Sequence, residues 1–239
     1  DGADGDSYLY FYEGGSATGA FLKWDDGPGV FSMNKGLNVG SANNFTEIQD
    51  DGTIRLEGTA QQWDDVRIVP GAFEFAGASD PTLQNWRPGG SGATFKIYKF
   101  KEFDEVFFTI QIPHNYKEGS DLKAHVHWTP CDRGVAESDN DVAWRLDYSW
   151  ANANAVFAPS STANMTSTCT GTDDLYETSP SATISGAGKT ISSMLVCRLY
   201  RIAVGDTWVG TTNAQSPGLK EFDFHYQIDS IGSNSELAK

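Results

Sequence analysis

The sequence predicts an all-β protein, in which a segment of short strands is followed by an antiparallel β-sandwich of jelly-roll type. Aromatic residues make up 13% of the 239-residue chain, and 25 residues are glycine, which is typical of many strands joined by tight turns. Apolar and polar side chains alternate strictly in several segments, as they do in half-buried strands. A charged amphipathic pattern suited to a helix occurs only in the short segment 233–239.

Residues 1–62 are predicted to form a β-rich shaft or oligomerisation region. Residues 8–39 consist of very short apolar stretches separated by Gly-rich turns, and residues 43–58 add one more. Strands this short cannot build a core alone, and large exposed apolar patches are uncommon on soluble monomers. We therefore expect an obligate homo-oligomer, a homotrimer, whose contacts involve apolar side chains of this region: Tyr8, Tyr10, Phe21, Trp24, Phe31, Leu37 and Ile54.

The segment 105–130 organises the rest of the chain, residues 63–239, which is predicted to be the sandwich. It consists of two long strands joined by a tight polar loop, and it holds three of the four histidines, so any chemistry is expected here. Strict alternation places two sets of apolar side chains on the buried faces: Val106, Phe108, Ile110 and Ile112 in the first strand, and Leu122, Ala124, Val126 and Trp128 in the second.

Eight strands are predicted in this region. Alternation in the fourth predicts a buried Trp144 beside an exposed Arg145, and alternation in the eighth predicts a buried Phe224 beside an exposed Asp223. Eight antiparallel strands without helices favour a jelly roll. The predicted strands are 93–100, 105–113, 122–129, 141–150, 164–170, 175–184, 192–204 and 219–229, with 66–70 and 73–75 as a lead-in hairpin or an edge strand.

Charge and cysteine usage limit the classes of partner. A net charge of −15 argues against a nucleic-acid partner, because phosphate binding needs clustered Lys and Arg. No apolar run approaches the roughly 20 residues that span a bilayer, so membrane insertion is not expected. The three cysteines form no metal-binding spacing. Cys197 is predicted to be a buried thiol, a pairing of Cys131 with Cys169 stays open, and free thiols indicate assembly in a reducing cytoplasm.

The histidines suggest a candidate metal site. His125 and His127 are two residues apart on one strand, so they share its polar face. In a jelly roll the third and eighth strands are neighbours, which would place His225, Asp223 and Glu221 beside them. Imidazoles and carboxylates on one face could bind Zn²⁺, Fe²⁺ or Ni²⁺. The alternative is an ordinary polar face or subunit contact whose histidines hydrogen-bond to their neighbours.

Two other kinds of binding are suggested by turn residues. Adjacent aspartates at 25–26, 50–51, 64–65 and 173–174 are either turn formers or weak Ca²⁺ ligands. The aromatic residues Trp86, Trp208, Tyr176 and Phe157 lie in or beside turns, where they could stack on the sugar rings of a host glycan. The alternative for each ring is packing over the edge of the sandwich.

No catalytic residue is predicted, and we expect a protein that is not an enzyme. Adjacent carboxylates in a strand point apart, which makes a poor general acid and base pair. No Gly-x-Ser-x-Gly motif occurs, and residues 186–190, GAGKT, are predicted to be a hairpin turn rather than a phosphate-binding loop because a strand follows.

The N-terminal pattern resembles the β-rich shaft segments of bacteriophage tail fibres and spikes. The residues that carry this resemblance are Tyr8-Leu9-Tyr10-Phe11, Gly19-Ala20-Phe21-Leu22-Lys23-Trp24-Asp25-Asp26, and Phe31 through Val39. From Trp63 onward the chain is similar to a domain of phage virion proteins. The motifs are Trp63-Asp64-Asp65, Pro113-His114-Asn115-Tyr116, His125-Val126-His127-Trp128, residues 188–195, and Phe224-His225-Tyr226-Gln227-Ile228-Asp229.

The resemblance implies a structural role without enzymatic activity: a fibre or spike subunit that contacts itself and other virion proteins. The trimer would display the sandwich at the particle surface for attachment to a host, where many weak contacts add up to avidity. The first alternative is a capsid decoration protein that clamps neighbouring capsid subunits. The second is a spike-type enzyme that cleaves glycans.

Overall fold

The computed structural model describes residues 5–13, 15–130, 140–210, 212 and 215–239. Three short 3₁₀ helices, Gly58–Ala60, Pro70–Ala72 and Pro88–Gly90, occur among these residues, and strands dominate the rest. The strands are β1 Ser7–Glu13, β2 Ser16–Asp25, β3 Val30–Met33, β4 Leu37–Ser41, β5 Asn44–Ile48, β6 Ile54–Glu57, β7 Gln62–Ile68, β8 Thr82–Trp86, β9 Phe95–Lys99, β10 Glu105–Gln111, β11 Leu122–Thr129, β12 Asp141–Ala151, β13 Ser161–Thr168, β14 Glu177–Thr178, β15 Ala182–Ile184, β16 Met194–Arg201 and β17 Gly218–Ile228.

Two units are distinguished by their internal contacts. The N-terminal unit comprises the described residues up to Gln62 together with Ile228–Ile231, and the sandwich unit comprises Trp63–Gln227 with Gly232–Lys239. The N-terminal unit contains two antiparallel three-stranded sheets, β1-β2-β3 and β4-β5-β6. The segment that returns to it bonds β6, because the Leu56 amide donates to the Asp229 carbonyl at 2.7 Å.

The sandwich unit has the strand order of a jelly roll. One sheet runs β10-β16-β12-β13, and the other runs β14-β11-β17-β9-β8, with β15 also paired to β11 and β7 also paired to β17. Counted by the eight predicted strands, the first sheet has the order second, seventh, fourth, fifth, and the other has the order sixth, third, eighth, first. This is the arrangement of two interleaved Greek keys. The predicted all-β fold class is therefore confirmed.

The core lies between the two sheets of the sandwich. Phe108 of one sheet meets Phe222 of the other at a ring separation of 5.5 Å, and Phe100 meets Trp144 edge-on at 5.3 Å. Trp144 and Phe224 are fully buried and Arg145 is not, as alternation predicted. The alternating apolar sets of β10 and β11 are buried as well, so period-two patterning identified the inner faces of these strands.

Several local predictions need correction. The strand predicted at 175–184 is two short strands, β14 and β15, because residues 179–181 leave the ladder. The segment 233–239 is not helical; it runs across the surface, and the Lys239 ammonium donates to the Tyr116 carbonyl at 2.7 Å. Cys169 and Cys197 are both buried, and burial raises the pKa of Cys197. Cys131 lies outside the described residues, so its pairing with Cys169 stays a prediction.

Among the described residues, no helix has the length and apolar character needed to cross a bilayer.

Candidate metal centre

A cluster of imidazoles and carboxylates lies on the outer face of the sheet where β11 pairs with β17. The antiparallel register sets His125 opposite Asp223, His127 opposite Glu221 and Lys123 opposite His225. Opposed residues point to the same face of a sheet. Because the apolar partners on both strands point inward, these polar side chains all point outward. The pairing of these two strands is the one that the jelly-roll expectation required.

The imidazole nitrogens converge on one carboxylate. His125 Nε2 lies 2.7 Å from Asp223 Oδ1, His127 Nε2 lies 2.9 Å from Asp223 Oδ2, and His225 Nε2 lies 3.4 Å from Asp223 Oδ2. His125 Nε2 and His225 Nε2 are only 2.5 Å apart. The structure thus brings together all four residues predicted as metal ligands, in two overlapping sets, one of them His125, Asp223 and His225, the other His127, Glu221 and Asp223.

Asp223 is the centre of the cluster, and its burial corrects the prediction that it would be exposed. Only 4% of its side chain is accessible, because the imidazoles close over it. Burial opposes ionisation, but the neighbouring His125 and His127 outweigh this and hold the pKa of Asp223 at about 2. The carboxylate is therefore ionised. Its Oδ1 atom has no hydrogen-bond partner among the described residues, although His125 Nε2 is close to it.

His225 is oriented by a carboxylate from a strand that flanks β17. Asp65 on β7 lies with its Oδ1 2.9 Å from His225 Nδ1. An ionised carboxylate only accepts hydrogen bonds, so the proton of this contact sits on Nδ1. In the neutral ring, Nε2 then carries a lone pair that faces the cluster. A carboxylate behind an imidazole is the usual arrangement behind metal-ligating histidines.

Glu221 and His127, the remaining members of the cluster, already bind other side chains. Arg67 donates to both oxygens of Glu221, with Nε–Oε1 at 3.1 Å and Nη2–Oε2 at 2.6 Å. His127 contacts Asp223 through Nε2 and the hydroxyl of Tyr176 through Nδ1, while the two rings stack at 5.6 Å and 11°. The set of His125, Asp223 and His225 is therefore better suited to a cation than the set that needs Glu221.

A shallow cavity of about 340 Å³ opens beside this set. Its lining includes His125 and His225 together with Trp63, Lys123 and Ser181. The Trp63 ring is half exposed. Solvent and small solutes can therefore reach the imidazole pair, although Asp223 beneath it is buried.

The predicted glycan-contact aromatics have three different environments. Tyr176 is 60% exposed and belongs to the cluster through His127. Trp86 is half-buried, donates from Nε1 to Asp174 at 2.7 Å, and has the Lys220 ammonium 3.0 Å from its ring centroid. Trp208 follows the packing alternative rather than the glycan-contact one: it is buried edge-on against Trp128, and its N–H donates to the Gln215 carbonyl.

The adjacent aspartates act as turn and strand partners where the structure describes them. Asp51 accepts from the Thr53 amide at 2.9 Å, and Asp64 accepts from the Tyr226 hydroxyl at 3.1 Å. Neither of the metal-compatible sets found among the described residues includes an adjacent aspartate pair. Ca²⁺ binding at these turns stays a prediction.

Sequence reasoning missed two members of the site, Trp63 and Asp65. Both lie on β7, Gln62–Ile68, whereas the lead-in hairpin or edge strand was predicted at 66–70 and 73–75; the strand begins earlier than predicted, and 73–75 is not a strand. Only the pairing of β7 with β17 brings Asp65 to His225. The Trp-Asp-Asp motif was visible in the sequence, but nothing in it specified the neighbouring strand.

Comparisons with known proteins give no family. No family model matches the chain, and no curated protein matches it. Among solved structures, the cycloisomaltooligosaccharide glucanotransferase of Paenibacillus sp., complexed with cycloisomaltoheptaose, has 12% identity and a TM-score of 0.35. That match covers 66% of this chain but 18% of the glucanotransferase.

A second structural match is to the stem and receptor-binding domain of the spike protein P1 from bacteriophage PM2. It has 10% identity and a TM-score of 0.21, and it covers 71% of this chain and 96% of that chain. Both TM-scores are low, so neither likeness assigns a function to this chain.

Proposed function

We propose that the protein is a non-enzymatic structural subunit of a phage virion, a fibre or spike component that self-assembles through its N-terminal unit and displays the sandwich for attachment to a host surface. The observation that most supports self-assembly is that no described residue of the N-terminal unit is buried in the single chain. Six strands without a buried side chain have no core of their own.

The first sheet of this unit has one continuous apolar face. Leu9 pairs with Leu22, which pairs with Met33, and Trp24 pairs with Phe31, so all five side chains point the same way. Phe31 is 71% exposed in the single chain. A face of this kind is covered in a stable protein.

The second sheet repeats the arrangement. Leu37 pairs with Ile48, which pairs with Ile54, and on the same face Val39 lies in line with Leu56 across Thr46. Val39 is 65% exposed. Two apolar sheet faces in one chain favour further copies of the same chain as the covering partner, because a closed symmetric assembly also protects strand edges. Three copies is the stoichiometry that the resemblance to phage shafts implies.

Self-assembly is tested by a matched pair of variants on β4. Val39→Asp puts a charge on the apolar face, whereas Asn38→Asp puts the same charge on the opposite face of the same strand. Multi-angle light scattering at micromolar concentration should give about three times the 26.0 kDa chain mass for the wild type and for Asn38→Asp. Val39→Asp should shift toward the monomer. A wild-type chain that is a stable monomer would refute the proposal.

Location distinguishes the fibre or spike role from the alternative of capsid decoration. Antibody labelling of intact particles should mark projections for a fibre or spike subunit, and the whole head shell for a decoration protein.

Removal of residues 1–58 should leave a folded sandwich with weaker self-association, because the jelly-roll core lies within residues 63–227.

A further inference from the structure

We propose that the outer face of the sandwich binds one divalent transition-metal ion through His125 Nε2, His225 Nε2 and Asp223, in a set of two imidazoles and one carboxylate with its open positions toward the cavity beside Trp63. This site is independent of the self-assembly proposed above, since all its ligands belong to β11 and β17 of the sandwich unit.

The hydrogen bonding of the cluster leaves acceptors without donors. His225 gives its Nδ1 proton to Asp65, so in the neutral ring its Nε2 is an acceptor. His125 Nε2 carries at most one proton, yet it faces both His225 Nε2 at 2.5 Å and Asp223 Oδ1 at 2.7 Å. One proton cannot serve both. A cation at the meeting point of the three atoms satisfies all of them.

The buried carboxylate points to the same conclusion independently. Asp223 Oδ1 is buried and has no hydrogen-bond partner among the described residues. A buried charged oxygen without a well-aligned donor is unfavourable, and buried charges are normally paired or coordinate a metal. Oδ1 lies 2.7 Å from His125 Nε2 without a hydrogen bond to it, so a cation beside that imidazole would supply the missing partner.

The ligand spacing is compatible with a small ion. In a tetrahedral shell with bonds of about 2.0 Å, ligand atoms stand about 3.3 Å apart. His125 Nε2 lies 2.5 Å from His225 Nε2 and 2.7 Å from Asp223 Oδ1, and His225 Nε2 lies 3.4 Å from the other oxygen, Asp223 Oδ2. Small outward rotations of the two imidazoles would therefore reach this spacing. All the candidate ligand atoms lie within 4.8 Å of one another.

The donor set selects the class of metal. Imidazole nitrogen suits Zn²⁺, Fe²⁺, Ni²⁺ and Cu²⁺, whereas Ca²⁺ and Mg²⁺ prefer oxygen ligands. Two nitrogens and one carboxylate with open positions therefore favour a transition metal over the hard ions. Asp65 orients His225, and Tyr176 orients His127 beside the site. Metal sites usually have hydrogen bonds of this kind behind their ligands.

Zinc titration of the chelator-treated full chain tests the site, with calorimetry in a buffer that does not bind metals. We expect one Zn²⁺ per chain and no response to Ca²⁺ or Mg²⁺. His225→Gln should weaken zinc binding by at least about 100-fold, and Asp65→Asn by about 10- to 100-fold. His114→Gln removes an imidazole elsewhere in the sandwich, where it contacts Ser192, and should bind like the wild type.

Two results would overturn the proposal: no stoichiometric zinc binding by the wild type, or equal affinity for the wild type and His225→Gln. A second measurement needs no variant and so does not depend on folding of the substituted chain. Diethylpyrocarbonate modification mapped by mass spectrometry should show zinc protecting His125 and His225 but not His114. Equal modification of all three with and without zinc would also contradict the site.

Discussion

Two buried tryptophans in the sandwich differ in the environment of the indole N–H, and this difference predicts unequal responses to the same substitution. Trp128 and Trp144 are both 0% exposed. The Trp128 N–H donates to Ser167 Oγ at 2.9 Å, whereas the Trp144 N–H has no hydrogen-bond partner among the described residues. Replacement by Phe removes the N–H and part of the ring at either position.

The shared loss of ring contacts costs about 1–2 kcal/mol at each site. Trp128→Phe also loses a hydrogen bond, for about 1 kcal/mol more. Trp144→Phe instead removes a buried donor without a partner, which recovers about 1–3 kcal/mol. The free energy of unfolding of Trp144→Phe should therefore exceed that of Trp128→Phe by about 2–4 kcal/mol. Truncation of Trp144 to Ala, which leaves a cavity, should cost about 3–5 kcal/mol.

Urea unfolding followed by far-ultraviolet circular dichroism measures this difference without relying on tryptophan emission. Both variants and the wild type should be compared at one protein concentration, because the proposed self-association would contribute to apparent stability. The midpoints of the two Phe variants should be separated by roughly 1 M urea. Equal midpoints, or a lower midpoint for Trp144→Phe, would refute the reasoning that the Trp144 N–H lacks a partner.

Two further predictions concern buried polar groups of the sandwich. Burial raises the pKa of Tyr116 from 10.0 to about 12, so its contribution to stability is complete below pH 10 and is lost as the pH rises from 10 to 12. Over that range the free energy of unfolding of Tyr116→Phe should fall by about 3 kcal/mol less than that of the wild type. An unchanged slope against pH would contradict this. Arg201 binds both oxygens of Asp206 at 2.6 Å, and both side chains are buried. Arg201→Met should cost about 3–5 kcal/mol in urea unfolding, because it leaves the buried Asp206 charge without a counter-ion. A loss below about 1 kcal/mol would show that the amides of Ala143 and Trp208, which also donate to Asp206, are sufficient for this charge.

Period-two alternation predicted the buried side of each long sandwich strand but not what covers the other side. It placed Trp144 and Phe224 in the core correctly, and the jelly-roll order then placed His125 beside Asp223. It failed for Asp223 itself, since alternation assigns an outward residue to solvent. The burial of this carboxylate depends on the imidazoles of the neighbouring strand, and no periodic pattern encodes that contact.

Loop residues were predicted least well, because turns have no repeating pattern that reports their packing. Trp208 and Tyr176 are both aromatic residues beside turns, and no sequence pattern distinguishes a buried ring from an exposed one there. In the structure a hydrogen bond to the Gln215 carbonyl holds Trp208 inward, while Tyr176 lies exposed over His127. The contribution of Asp65 was missed for a similar reason, because an edge strand can pair with several neighbours.

The position of β17 makes the order of synthesis matter. This strand follows all the others in the chain, yet it lies between β11 and β9 in the larger sheet, and residues 228–231 belong to the N-terminal unit. Neither unit can be completed until residues 218–231 have emerged from the ribosome, so both wait for this late segment. A nascent chain interrupted before it would expose the open edges of β11 and β9, which favour aggregation and degradation.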